Sequence, residues 1–413
     1  MFSFFKNSVF GVISVASRLA SSFFLNKMVA LYFGPAGIVQ LAHFQNLVTF
    51  FTLVPNDGIS RGLIKYLAGN DTQSLTFRTY FRSGFYLTLT VFFAITLLLV
   101  SARSFFLPYF PSGATWLILF LIGVFLLVLQ SFLNAVLLAR QKNGWLLVVN
   151  TLAALGVLGY VALATGKIPL PYFLNGYLLL LGCIGLITVP FSLKGLPKIP
   201  LFQPRISKAA WQQLSKFILM AGTVMLFSKG LEYYIRDYSI QHFTIQQTGL
   251  WQGVVRISDS YTAVYTAVLA FAFYPKVAAL LQQEPELKLF VRQALKLLAP
   301  VVAAGLCLVY FTRDYLFTWL LSAQFKAAEA FLPFQLTGDF CKLISWLLAN
   351  ILVAQAKFKI TLLFEAISAF FYLGFFYFFT HLYGIQGNPM AHCAHYLIFL
   401  LLNLVYFRKL LLA

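Results

Sequence analysis

The chain has 413 residues, of which 61% are hydrophobic and only 10% charged, and it carries a formal net charge of +19. So little polar surface does not cover a water-soluble globule of this length; the composition excludes a soluble enzyme or binding domain and indicates an integral membrane protein. In a soluble domain the cationic excess would suggest nucleic acid, but in a membrane protein the cations must first be assigned to loops, and that assignment leaves no nucleic-acid partner.

Apolar runs of roughly 20 residues recur from end to end, the length an α-helix needs to cross about 30 Å of hydrocarbon. Barrel strands are half as long and alternate in polarity, which these runs do not. Breaks at polar and Pro/Gly clusters predict an all-α integral membrane fold of about twelve spans: 7–31, 38–60, 83–105, 114–139, 144–165, 171–192, 211–235, 248–274, 290–320, 330–354, 360–382 and 390–407. With the N-terminus inside, 20 of the 30 Lys and Arg fall on inside segments and 5 outside (Arg103, Lys167, Arg236, Arg313 and Lys326). This bias predicts both termini in the cytoplasm, and Trp116, Trp145, Trp211 and Trp319 fall near span ends, where interfacial anchors belong.

Residues 194–208 hold Pro197, Pro200 and Pro204 among four cations and read as a cytoplasmic linker between two six-helix bundles, 1–193 and 209–413. An even number of spans in each half gives both the same orientation, related by an axis along the membrane normal, with a V-shaped central cavity expected. A faint internal repeat agrees. Lys27, Gly37-Ile38-Val39-Gln40 and Lys65 are echoed about 210 residues later by Arg236, Gly249-Leu250-Trp251-Gln252 and Lys276.

Outside loops are short, and neither a phosphate-binding loop, a dinucleotide fingerprint, a His-rich cluster nor a serine-nucleophile elbow is present, so neither catalytic residues nor cofactors are expected. Cys183, Cys307, Cys341 and Cys393 lie in apolar spans without metal or disulfide spacing.

Five cations remain inside spans (Arg18, Lys27, Lys229, Arg256 and Lys342), as do the acids Asp57, Glu232, Asp259, Asp339 and Glu365. Each cation costs about 3 kcal/mol at a helix centre, so each is expected to face protein or water. Lys229/Glu232, Arg256/Asp259 and Asp339/Lys342 are i,i+3 pairs, open to either local neutralisation or function. Arg18 and Lys27 share a span that has no acid and also presents Asn26, which suggests a wet cavity suited to an anion. Pro55-Asn56-Asp57-Gly58 breaks the second span as a kink or as a hinge, and Pro275 and Pro300 are weaker candidates for the same role.

The stretch Asn26 to Gly37 (NKMVALYFGPAG), Gly62 to Tyr66 (GLIKY), Gln213 to Phe217 (QLSKF), Gly249 to Gly253 (GLWQG), Ile257 to Tyr261 (ISDSY) and Gln335 to Asp339 (QLTGD) resemble motifs of Wzx-type polysaccharide flippases in the MOP (multidrug, oligosaccharidyl-lipid, polysaccharide) exporter superfamily. The similarity runs along the whole chain. It implies a MATE-like fold of two bundles around a cationic cavity, in a multi-pass protein of the bacterial inner membrane. The implied cargo is an undecaprenyl-pyrophosphate-linked oligosaccharide, an O-antigen unit or lipid III of enterobacterial common antigen, moved from the cytoplasmic to the periplasmic leaflet. Polysaccharide polymerase and chain-length regulator are the implied protein partners, beside membrane lipids.

On this resemblance the cavity is expected to draw its pyrophosphate and sugar ligands from Arg18, Asn26, Lys27, Gln45, Lys65, Arg236, Trp251, Gln252 and Arg256, with Asp259, Asp339 and Glu365 as ion-coupling carboxylates. The chain departs from the family pattern at Gln45, where arginine is usual, and at Lys229 and Glu232, where apolar residues or proline are. Two alternatives remain: a MATE-like cation-coupled exporter of small molecules, whose cavity should be net negative, and a membrane-embedded polymerase or glycosyltransferase, which usually carries a large outer loop.

Overall fold

The computed structural model describes residues 2–68, 71–140, 142–194, 207–355 and 357–412; most of the 194–208 linker, with its three prolines, lies outside the described residues. Helices account for nearly all of these residues, and no strand occurs among them. In chain order they are α1 (Phe2–Leu53), α2 (Ser60–Leu67), α3 (Leu75–Ser101), α4 (Arg103–Phe106), α5 (Ala114–Ala139), α6 (Asn143–Ala164), α7 (Leu170–Gly185) and α8 (Thr188–Leu193). After the linker come α9 (Lys208–Val224), α10 (Leu231–His242), α11 (Ile245–Val268), α12 (Tyr274–Leu280), α13 (Glu284–Phe311), α14 (Arg313–Leu316), α15 (Leu332–Ala354), α16 (Phe358–Tyr383), α17 (Gly387–Tyr406) and α18 (Arg408–Leu412).

Among the described residues, nine helical stretches are long and apolar enough to cross a membrane, yet the fold has twelve spans. Two of the nine, Leu19–Leu67 and Lys359–Tyr406, are 49 and 48 residues long, about twice what one crossing needs, and each contains a turn. Gly34 (φ 62°) divides the first and Gly384 (φ 59°) the second; both sit in the left-handed region where a Cβ would be strained. The remaining span, Ile245–Leu280, carries Arg256, Asp259 and Lys276 among many polar side chains. Its polarity marks it as a helix that faces protein or water.

Pro55 does not end the second span. Lacking an N–H, it shifts the local hydrogen-bond register, and Val54–Ile59 forms a π-helical segment that runs on into α2. The eighth span repeats the device: π-helical Leu269–Phe273 precedes Pro275 and α12. Pro300, by contrast, lies in uninterrupted α13.

The described residues fall into two compact units, Met1–Met28 with Gln40–Lys229, and Val29–Val39 with Gly230–Ala413. In the first, α5 and α7 touch closely: a Cβ at Gly123 would stand 2.7 Å from Leu178 Cγ, and one at Gly182 would stand 2.6 Å from Leu126 Cβ. Lipid offers no hydrophobic drive for helix association, so such close packing and interhelical hydrogen bonds hold the pair. Trp116 Nε1 donates to the Pro171 carbonyl at 2.9 Å, and Asn175 Nδ2 donates to the Trp116 carbonyl at 2.9 Å. In the second unit, Leu269, Phe273 and Val277 pack with Leu287, Val291, Leu347, Leu348 and Ile351. The Gly34 turn belongs here because Gly249, at the start of α11, leaves room for the Pro35 carbonyl.

Candidate functional site

Asp339, on α15, is fully buried at 0% exposure, and a carboxylate in that position requires donors from every side. Ser258 Oγ donates to its Oδ2 at 2.6 Å, and the Tyr261 hydroxyl donates to the same oxygen, both from α11. His392 Nε2, on α17, lies 2.9 Å from Oδ1. Gln335 Nε2, one turn earlier on α15, lies 3.3–3.4 Å from both oxygens. Lys342 Nζ completes the shell 3.9 Å from Oδ1.

Lys342 is itself held in place. Its ammonium is 3.5 Å from Thr262 Oγ1, 5.0 Å from the Trp346 ring centroid and 6.0 Å from that of Tyr396. Tyr396 in turn packs on His392 and His395 at centroid distances of 4.9 and 3.9 Å. Three spans thus converge on one carboxylate, an ammonium and an imidazole. The i,i+3 pair Asp339/Lys342 that the sequence offers is real, but it forms part of a network across helices.

A second cluster lies on α10 and the neighbouring face of α11. Arg236, expected at the outer end of a span stopping at 235, is instead enclosed at 5% exposure because the helix continues to His242. Its Nε and Nη1 are buried without a protein acceptor. The charged groups acting on it are Arg256, which repels it, and Glu232 and Asp259, which attract it. Gln252 is buried one turn before Arg256, and Trp251 beside it is buried with Nε1 lacking an acceptor. Tyr372 of α16 lies within electrostatic reach of Arg236, Glu232 and Asp339 and so borders both clusters.

The other expected residues distribute as follows. Glu365 of α16 is half-buried and acts on Tyr396, hence at the margin of the Asp339 network; Asp259 is exposed and belongs with Arg236. In the first unit, Asn26 is buried with Oδ1 lacking a protein partner, while Lys27 and Gln45 are half-buried. The Arg18 side chain lies outside the described residues. Lys65 is exposed above the Tyr66 ring (5.6 Å) and the Phe217 ring (5.9 Å). Tyr66 stacks on Tyr80 at 4.5 Å, and the Tyr80 hydroxyl donates to Gln213 Oε1. Asp57 is half-exposed and paired with Arg61 at 2.8 Å, which removes it from the buried acids.

Sequence reasoning missed His392, Ser258 and the tie from Gln335 to Asp339. A signal was present in the spacing, since Gln335, Asp339 and Lys342 share one face of α15, as do His392, His395 and Tyr396 on α17.

No family model matches the chain. It is 26% identical over 413 residues, covering 95% of both sequences, to the lipid III flippases of Escherichia coli (strain K12) and Shigella flexneri. Among solved structures it resembles a multidrug-resistance MATE family transporter of the MOP superfamily in its inward-facing conformation (TM-score 0.76, 13% identity, 96% of this chain and 95% of that one). It also resembles the lipid II flippase MurJ, inward closed (TM-score 0.74, 12% identity, 98% and 87%). At such identities the solved structures establish the fold: two six-helix bundles of the MOP type.

Proposed function

Starting from a multi-pass membrane chain with the MOP transporter fold and a full-length likeness to lipid III flippases, we propose that it flips an undecaprenyl-pyrophosphate-linked oligosaccharide from the cytoplasmic to the periplasmic leaflet by alternating access. The physical task is to carry a charged pyrophosphate and a hydroxyl-rich glycan past hydrocarbon while the polyprenyl tail stays in the lipid.

One observation carries this reading: Arg236 is buried with two guanidinium N–H groups lacking acceptors, and the Arg256 charge repels it. A buried guanidinium short of acceptors is costly, and two adjacent guanidinium groups repel; an oxyanion relieves both, since arginine suits phosphate geometry. Arg18, Lys27 and Lys65 are the proposed cationic ligands from the first unit. Gln45, Asn26, Trp251 and Gln252 are proposed to meet the sugars through amide hydrogen bonds and ring stacking.

Direction is proposed to come from the Asp339–His392–Lys342 group, with Glu365 and Asp259 as further carboxylates. Protonation there alters the charge balance of the same unit that holds Arg236. The small-molecule exporter reading is weaker. The MATE likeness is one of fold alone, whereas the likeness to flippases of lipid-linked glycans is a sequence similarity over 95% of the chain.

Expression in a flippase-deficient strain tests the proposal. Restored surface glycan is the expected result. A protein that is inserted at normal abundance yet restores no lipid-linked glycan export from any of several host pathways would refute it.

A further inference from the structure

Between Asp71 and Glu232 the sequence contains no acidic residue at all, although a dozen Lys and Arg are spread through it. Three of these cations meet at one edge of the first unit, where α5 ends, α6 begins and α8 ends. Arg140, just past α5, donates from Nη1 to the Ser192 carbonyl at 2.9 Å and from Nη2 to the Lys194 carbonyl at 3.0 Å. These bonds satisfy terminal carbonyls of α8 and draw the Lys194 backbone to the guanidinium.

Lys142 stands between α5 and α6, with its backbone N–H bonded to the Leu137 carbonyl at 2.9 Å. Its ammonium is held below the usual lysine range, first by burial and then by the charges of Arg140 and Lys194. The charged groups that act on it among the described residues are both cations. Directly beside this cluster Trp145 and Phe191 stack flat, with centroids 3.4 Å apart and planes 16° from parallel, and Trp145 is 39% exposed. An indole at a helix start, partly exposed beside a row of cations, is the arrangement found at the headgroup level of a bilayer.

Like charges gathered by backbone geometry, paired with no acid among the described residues and next to an interfacial aromatic pair, call for an external anion. We propose that Arg140, Lys142 and Lys194 bind the phosphate headgroup of an anionic phospholipid resident in the membrane, with Trp145 and Phe191 against the adjoining part of its chains. The headgroup's negative charge offsets part of the repulsion within the cluster and clamps the end of α8, the point from which the chain enters the linker. This inference does not depend on the identity of the cargo.

The test uses the full-length protein in phosphatidylcholine nanodiscs doped with brominated phosphatidylglycerol or, separately, brominated phosphatidylcholine. Quenching of Trp145 is read as the difference between the wild type and Trp145→Phe. Half-quenching by phosphatidylglycerol is expected at about tenfold lower mole fraction than by phosphatidylcholine.

Lys142→Gln with Lys194→Gln is expected to abolish that preference, whereas Lys296→Gln, an exposed cation elsewhere, keeps it. Arg140 is left intact because it also ties two helix ends together. Equal quenching by both lipids in the wild type would overturn the proposal, as would a preference that survives the double substitution. Displacement by inorganic phosphate at constant ionic strength would reassign the site to a free anion. Stronger displacement by undecaprenyl pyrophosphate than by phosphatidylglycerol would reassign it to the cargo; either result overturns the resident-lipid assignment.

Discussion

His392 Nε2 stands 2.9 Å from Asp339 Oδ1 because the residue beside the carboxylate, Gly338, lets two helices meet backbone to backbone. A Cβ at Gly338 would lie 2.6 Å from His392 Cδ2 and 2.9 Å from Cys393 Cα, and the backbone atom has no room to yield. The polar network is thus positioned by a glycine that bears no chemistry of its own.

Gly338→Ala is expected to cost about 1–3 kcal/mol as α15 and α17 are forced apart. Thermal unfolding of the detergent-purified protein measures it. Gly374→Ala, at a helical glycine where an added Cβ meets nothing within 4 Å, serves as the contrast and should be neutral or stabilising by up to about 1 kcal/mol.

Asp339→Asn should lower transport at least tenfold and destabilise by about 3 kcal/mol, because it leaves the Lys342 ammonium enclosed without its carboxylate. Adding Lys342→Met removes the orphaned charge, so the double variant should recover most of the stability and none of the transport. Recovery of both would reduce the network to a structural device.

Gly249→Val places a branched side chain on the Pro35 carbonyl, at the turn where the first two spans join the second unit. Accumulation of folded protein, followed by fluorescence-detected size exclusion, should fall sharply, and Gly249→Ala should fall between the two. Wild-type amounts of the valine variant would mean that the turn packs elsewhere.

Lys65→Ala should reduce transport severalfold while Lys65→Arg retains most of it, since the proposed role is a charge poised over the Tyr66 and Phe217 rings. Tyr80→Phe, which removes only the hydroxyl bonded to Gln213, should have the smaller effect. Rates with a labelled lipid-linked oligosaccharide in proteoliposomes separate the three.

Much of the fold was legible because its signals are local. The length of apolar runs gave the twelve spans, and the Gly34-Pro35 pair marked the first turn. Span ends were less legible: α2 and α10 keep their helical course past residues 60 and 235, to Leu67 and His242, since a charged turn does not stop a helix whose neighbours enclose it. Asp339 was recognisable as an acid out of place in an apolar helix. Its partner His392, 53 residues away, was not, because only the convergence of three spans brings a histidine of an apolar stretch to the carboxylate.

The central claim is that an anionic headgroup satisfies the enclosed guanidinium of Arg236, and reconstituted flipping of an undecaprenyl-pyrophosphate-linked oligosaccharide tests it most directly when wild type is compared with Arg236→Gln. The account predicts a loss of at least tenfold in rate with the variant folded and reconstituted at equal density, and a milder loss for Arg236→Lys. Equal rates in wild type and Arg236→Gln would contradict it.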